Sequence, residues 1–242
     1  MFNFFKHKKN EQLTSFSFLR QDIHSHILPG IDDGSPDIET SLKLIRGLYA
    51  AGFRKSIATP HIIGDMFRNN RQTITSALDQ LKAACKEEQI DIELGAAAEY
   101  MMDDYFLQLL RSGEKLMTIR DNVILTELPY ALAPQNLEEL SFEILTAGYK
   151  PIMAHPERYH YYHNDQKQYE MLKDTGFLLQ VNLLSLTGYY GKPVTKAANF
   201  IFQQQLADHV GTDMHHEKHL TALTENLELI EKVIGSQEYN NF

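Results

Sequence analysis

Residues 21–34 read Gln21-Asp22-Ile23-His24-Ser25-His26-Ile27-Leu28-Pro29-Gly30-Ile31-Asp32-Asp33-Gly34. Gln21–His24 is a strand candidate, and strand alternation puts the rings of His24 and His26 on one side, an arrangement suited to chelation. A helical pattern follows over Asp37–Ala51, started by Ser35-Pro36-Asp37 and stopped at Gly52. The stretch is thus one β-then-α unit with imidazoles and acids just past the strand end.

The same unit recurs along the chain. Further strand candidates are Lys55–Thr59, Ile90–Leu94, Asn122–Thr126, Lys150–Ala154, Phe177–Val181 and His209–Gly211. Amphipathic stretches lie between and after them: Thr73–Glu88, Asp103–Arg111, Asn136–Ala147, Gln166–Lys173, Thr195–Gln205 and His216–Val233. Seven such units imply an α/β protein with a parallel sheet and right-handed crossovers, open or closed. No repeat, low-complexity tract or linker interrupts residues 20 to 235, so one domain is expected. Residues 21–236 form that domain, with 1–20 an N-terminal extension and 237–242 a frayed C-terminal tail.

Composition excludes several classes. The 242 residues are 43% hydrophobic, enough for a sizeable core, and carry a net charge of −9, which disfavours a nucleic-acid surface. One cysteine, Cys85, rules out an internal disulfide and suits a reducing, cytoplasmic setting. No apolar run reaches the roughly 18 residues of a membrane span. Met1-Phe2-Asn3-Phe4-Phe5 precedes Lys6-His7-Lys8-Lys9, the reverse of signal-peptide order, so no stable membrane insertion is expected.

Chemistry collects at the strand ends. They deliver His24-Ser25-His26 with Asp32-Asp33, then His61, Glu99, Glu127, His155-Pro156-Glu157-Arg158, and Asp213-Met214-His215; the sixth end offers only neutral Asn182. In an α/β barrel these ends share one rim, where active sites sit. Each piece alone has a bland reading. With 11 histidines a His-x-His arises by chance in about one of two such chains, a lone Glu99 or Glu127 is an ordinary ion-pair partner, and His155 suits a core hydrogen bond. Repetition at equivalent positions favours a metal cluster, which accounts for all of them together. The expected ligands are His24, His26, Asp33, His61, Glu99, Glu127, His155, Asp213 and His215. Five imidazoles and four carboxylates give about three ligands per ion for three divalent ions, leaving open positions as catalytic sites do. Three such ions against four carboxylates leave about +2, which attracts a phosphate dianion. Ligands without thiolate suit manganese, iron or zinc.

At this point the chain resembles the PHP (polymerase and histidinol phosphatase) superfamily, and within it the bacterial tyrosine-protein phosphatases of capsular and exopolysaccharide synthesis. Asp22 through Gly34, Ala58-Thr59-Pro60-His61, Glu127-Leu128-Pro129 and Ala154-His155-Pro156-Glu157-Arg158-Tyr159 carry the resemblance. It implies a distorted seven-stranded (β/α)7 barrel, a trinuclear metal site and manganese-supported removal of phosphate from tyrosine. It also implies a partner, the autophosphorylated tyrosine kinase that controls polysaccharide assembly. Three positions depart from the family's pattern. Ile62 stands where a second histidine is usual after Thr-Pro-His, and Met214 replaces the alanine of Ser-Asp-Ala-His, whose serine is Thr212. The arginine usual soon after gives way to His216-Glu217-Lys218-His219, with Lys218 a possible stand-in.

The expected mechanism is in-line attack on phosphorus by a hydroxide held by the cluster, with Arg158 clamping phosphate bidentately or, alternatively, making a structural ion pair. Cysteine-based chemistry is set aside because Cys85 lies in an amphipathic helix. The nearest rival is a PHP-type histidinol-phosphate or other small-molecule phosphatase. A metal-dependent amidohydrolase is less favoured because no strand end offers a lysine, and a non-catalytic kinase-binding relative is disfavoured by nine retained ligands. Tyr159, Tyr161, Tyr162, Tyr189 and Tyr190 either line a substrate groove or pack loops, the second being commoner.

Overall fold

The computed structural model describes residues 15–235 and Tyr239; the reading of residues 1–14 and the rest of the C-terminal tail lies outside the described residues. Ten strands are present: β1 (Gln21–Asp22), β2 (Lys55–Ala58), β3 (His61–Ile63), β4 (Phe67–Arg68), β5 (Glu93–Ala96), β6 (Glu99–Met101), β7 (Val123–Glu127), β8 (Lys150–Ala154), β9 (Leu178–Asn182) and β10 (His209–Gly211). The helices are α1 (Ile38–Ala50), α2 (Arg71–Glu87), α3 (Asp104–Ser112), α4 (Leu137–Thr146), α5 (Lys167–Asp174), α6 (Lys192–Gln203), α7 (Glu217–Glu225) and α8 (Leu227–Ile234). Among the described residues, no helix is long and apolar enough to cross a membrane.

Two sheets result. One is parallel in the order β1-β2-β5; the other runs β10-β9-β8-β7-β6-β3-β4, parallel except for the β3–β4 hairpin. The sequence pattern predicts seven strands; of the three additional ones, β3 and β6 arise where a chain run leaves one sheet and enters the other, and β4 is the hairpin partner of β3. Thr59-Pro60 separates β2 from β3, and Pro60 has no N–H to continue the ladder. Main-chain bonds Ala97 N to Ala58 O (2.8 Å) and Glu99 N to Pro60 O (3.1 Å) keep the two runs side by side through the change. The run that begins with β1 continues as His24-Ser25-His26. Thr59 N donates to Ser25 O on one side; on the other, His26 N donates to Met214 O and Asp213 N to His24 O, each at 2.8 Å. The first unit is thereby tied to the last. Buried Asp22 adds side-chain bonds there, accepting from Thr212 N at 3.0 Å and Thr212 Oγ1 at 2.7 Å.

Two expected elements move. Ile90 and Ile92, expected to open the third strand, instead follow the end of α2. Gln89 adopts a left-handed φ of 55°, Ile90 N bonds back to Cys85 O, and the strand starts at Glu93. Apolar Ile90 serves the helix cap by packing on the core, a use of the same residue type that strand propensity does not distinguish. The expected helix His216–Val233 breaks at Asn226, whose Nδ2 donates to Ala222 O and draws off a helix carbonyl.

The main core lies under the helices, with Leu44, Ile45 and Leu48 of α1 and Ile74 and Leu81 of α2 at 0% exposure. Residues just before β1 join it: Phe16 is buried and stacks on Phe53 at 5.5 Å. Gly52 permits this contact, because its φ is +113° and a Cβ would sit 2.7 Å from Ser17 N. Tyr239, in the stretch read as a tail, is buried against Phe202. A smaller cluster holds Ile23, Ile57, Ala97, Val123, Leu125 and Ile152. Glu99 follows Ala97 and Glu127 follows Leu125 at a spacing of two, so both acids emerge on the face that carries this cluster.

Candidate metal centre

All nine expected ligands come together. Their donor atoms fall into four overlapping groups, each within 4.8 Å: His26, Asp33, His61 and His215; His24, His26 and Asp213; His24, Glu99 and His155; and His61, Glu99 and Glu127. Glu99 is central. Its Oε2 lies 3.3 Å from His24 Nε2, 3.3 Å from His26 Nε2 and 3.1 Å from His61 Nδ1, while Oε1 lies 3.0 Å from His155 Nε2. Asp213 Oδ1 is 3.4 Å from the Nε2 atoms of both His24 and His26. Glu127 Oε1 is 2.9 Å from His61 Nδ1, and Asp33 Oδ1 is 3.4 Å from His61 Nε2.

These residues fit metal ions on two grounds. His61 Nδ1, Glu99 Oε2 and Glu127 Oε1 are buried and close together, yet none makes an aligned hydrogen bond. Buried polar atoms are almost always paired, so such a set points to a partner that is not a protein hydrogen. His24 Nε2 and His26 Nε2 also face each other at 3.3 Å, beside the same carboxylates, as lone pairs converging on shared cations do. The donors are imidazole nitrogen and carboxylate oxygen without sulfur, a set for divalent ions of intermediate hardness.

Four of the five imidazoles have Nδ1 fixed by a partner, which turns Nε2 toward the centre. The pairs are His24 with Gln180 Oε1 (2.7 Å), His26 with Asp32 Oδ2 (2.8 Å), His155 with Tyr130 Oη (3.3 Å) and His215 with the Asp213 carbonyl (2.8 Å). Asn182, the neutral exception at the sixth strand end, is a strap: Gln180 Nε2 donates to its Oδ1, and its Nδ2 donates to Asp213 Oδ2 at 2.7 Å. Asp32 also accepts from Gly34 N and His61 N, locking the loop after the first strand. Gly34 is required there, since a Cβ would lie 2.1 Å from His26 O. His155, one residue past β8, and Asp213, two past β10, take left-handed φ of 35° and 50°, a backbone cost of order 1–3 kcal/mol each that re-aims the side chain at the strand end.

The crowding shapes protonation. Burial pushes His155 down to about 4, Glu99 only partly opposing it, so this imidazole is neutral. Burial also acts to lower His24, but Glu99 and Asp213 outweigh it and raise the ring to about 9. Burial and then the adjacent Glu99 push Glu127 up to about 7. Without cations, these acids and bases are held in protonation states set by one another.

Arg158 reaches the centre. Its Nη1 donates to Asp213 Oδ2 at 2.7 Å, and its guanidinium lies 4.6 Å from the Tyr190 ring centroid and 5.3 Å from that of Tyr130. It therefore makes the ion pair expected of a structural arginine while standing beside the ligands. Lys218 is exposed on α7 and makes no ion pair among the described residues. Glu157 is fully buried and accepts from Asn182 N at 2.9 Å and Ser185 Oγ at 2.6 Å, holding the sixth strand end. Tyr159 and Tyr162 are buried packing residues, whereas Tyr189 is exposed. Cys85 is buried in α2, and burial raises its thiol pKa, so no reactive thiolate is present there.

Sequence reasoning missed Asp32, Gln180 and Tyr130. Gln180 had a signal, since it shares the β9 face of Asn182 at a spacing of two. Tyr130 had none.

A buried cluster of imidazoles and carboxylates at the ends of parallel strands defines this as an α/β metalloenzyme. The family model for capsular polysaccharide synthesis, CpsB/CapC, matches residues 20–242, and the chain belongs to that family. It is 30% identical over 217 residues to the tyrosine-protein phosphatase YwqE of Bacillus subtilis (strain 168), covering 89% of this chain and 85% of the relative. A solved structure among those of YwqE from Bacillus subtilis and CpsB from Streptococcus pneumoniae, described as unique metal-dependent tyrosine phosphatases, matches with a TM-score of 0.77. Identity is 28%, with 90% of this chain and 96% of that one covered. The fold is shared more distantly with histidinol phosphate phosphatase from Lactococcus lactis, at a TM-score of 0.53, 16% identity and coverage of 92% and 95%.

Proposed function

We propose that this chain is a metal-dependent protein-tyrosine phosphatase, with the nine clustered side chains holding three divalent ions, manganese foremost and iron or zinc as alternatives. The observation that carries the reading is the convergence of those donors, from stretches as distant as residues 24 and 215, with four imidazoles pinned through Nδ1. The tie between the first and last units supports the distorted seven-stranded barrel as the description of the fold. When bound, the ions make a nucleophile available from water near neutral pH and offset charge on the phosphoryl group. The chain's own part is to hold that charge in place. Gln180 and Asp32 orient His24 and His26, Asn182 holds Asp213, and the buried walls exclude bulk water. Arg158 holds Asp213 through Nη1 and supplies its remaining N–H groups to phosphate. The substrate is a phosphotyrosine protein. The family's link to capsular polysaccharide synthesis supports an autophosphorylating tyrosine kinase of that system as the partner, met in the cytoplasm.

The test is metal analysis and turnover on one preparation, with a phosphotyrosine peptide and histidinol phosphate as competing substrates. Metal uptake with preference for the peptide is expected. A strong preference for histidinol phosphate reverses the substrate assignment, and metal-loaded protein without turnover supports a kinase-binding role.

A further inference from the structure

We infer that Tyr130 is a substrate-binding residue whose phenolic O–H, beside the Arg158 guanidinium, takes a phosphoryl oxygen; this rests on the phosphatase reading above. His155 fixes where the Tyr130 hydroxyl hydrogen can go. Its Nε2 lies 3.0 Å from Glu99 Oε1 and belongs to the donor group of His24 and Glu99, so that nitrogen is the one turned to the cation site. An imidazole that offers one nitrogen as a lone pair carries its proton on the other. The proton is therefore on Nδ1, whose partner is the Tyr130 hydroxyl at 3.3 Å. The phenol oxygen accepts there. Its own hydrogen is left over, because Tyr130 makes no other hydrogen bond among the described residues. A donor with no protein acceptor is completed by water or by a ligand oxygen.

Its surroundings select the ligand. Arg158 lies over the Tyr130 ring at 5.3 Å and commits Nη1 to Asp213, so a cationic donor and a neutral donor stand side by side at the edge of the cluster. That combination suits an oxyanion that also reaches the ions. Tyr130 as a residue is 37% exposed, so the loop that carries it lies at the surface. Its backbone is held just upstream: Leu128 N donates to Tyr159 Oη at 2.8 Å, and Tyr161 Oη donates to Pro129 O at 3.1 Å. Tyr159 and Tyr161, after β8, thus pack the loop that presents Tyr130 rather than lining a groove themselves. A donor fixed before the substrate binds needs no reorganisation to meet it.

Tyr130→Phe keeps the ring and removes only the hydroxyl. Manganese-loaded wild type and variant are compared for metal content, melting temperature and calorimetric binding of inorganic phosphate. At saturating manganese the metal content is expected to match, the melting temperature to fall slightly with the lost partner of His155 Nδ1, and phosphate to be bound roughly ten- to hundredfold more weakly by the variant, the range for losing one hydrogen bond to a charged group. Equal phosphate affinity overturns the inference. So does loss of metal from the variant, which assigns the hydroxyl to the support of His155 alone. Metal-loaded wild type that binds no phosphate brings down the phosphatase reading together with this inference, whereas a variant equal to a phosphate-binding wild type brings down this inference alone.

Discussion

Asp32 is the residue whose substitution most directly separates a metal centre from an ordinary ionic cluster. Its carboxylate accepts from three donors: His26 Nδ1 at 2.8 Å, His61 N at 3.2 Å and Gly34 N at 3.0 Å. Asn in its place has one acceptor oxygen and an NH2 group. Turned one way, the oxygen serves His26 and His61 while the NH2 faces the Gly34 N–H; turned the other, the NH2 faces both remaining donors. Either pose leaves at least one part-buried donor unpaired, a cost of about 1–3 kcal/mol. The charge that favours Nδ1–H on His26 is lost as well. Removing such a partner typically weakens metal affinity by roughly 10- to 100-fold, equivalent to about 1.4–2.8 kcal/mol. Competition of manganese between the protein and a chelator of known affinity measures this, with Asp32→Ala as the more severe variant. The tyrosine phosphatase activity should fall in parallel at limiting metal and recover in part at saturating metal. If Asp32→Asn and Asp32→Ala both hold manganese as tightly as wild type, His26 is not a ligand oriented by Asp32, and the assignment of the cluster fails at its best-supported position.

Gly34→Ala is expected to disrupt the same loop by steric means, since its Cβ would meet His26 O at 2.1 Å; a melting temperature and metal content equal to wild type would show that the loop relaxes freely. Removing metal should lower the melting temperature, because an ion present at about 100 times its dissociation constant adds roughly 2.7 kcal/mol, or about 5–10 °C for a chain of this size; scanning calorimetry with and without EDTA reads the difference. The Cys85 thiol, raised by burial, should react with a thiol reagent at pH 8 only at the rate of opening or unfolding, so fast labelling of native protein at full stoichiometry would contradict its placement. Arg158→Lys keeps the charge but loses the planar fork and the stacking on Tyr190. We expect at least a tenfold fall in kcat/KM with metal content unchanged, measured on a phosphotyrosine peptide.

The β/α order was legible because several changes between strand and helix carried a residue with a physical reason to be there: Ser35-Pro36-Asp37 ahead of α1, and glycines with left-handed φ after the helices at Gly148 and Gly176. The extra strands were not legible. β3 and β6 are three-residue continuations past a sheet break, and His61 and Glu99, which begin them, read as loop residues because nothing in local periodicity marks a switch between sheets. The nine donors were recoverable because they sit at strand termini or in the runs that follow strands, a feature that survives errors of several residues in strand boundaries. Boundary errors therefore cost the fold reading more than the site reading.

The residues that aim those donors obey a different logic. Gln180, Asn182, Asp22 and Tyr130 act through contacts between elements far apart in sequence, such as Asp22 with Thr212 across 190 positions and His24 with Gln180 across 156. No spacing rule within one element registers such a pair. Yet their placement follows from the ligands' own requirement: every imidazole that gives one nitrogen to a cation must find an acceptor for the proton on the other. Counting Nδ1 partners is then a test of any proposed histidine ligand. His61 stands apart, because its Nδ1, unlike that of the other four, has no hydrogen-bond partner among the described residues: it faces only Glu99 and Glu127, while Nε2 faces Asp33. It is therefore the position where the protein fixes the ring least independently of the ions, and where chelation should alter the side chain most.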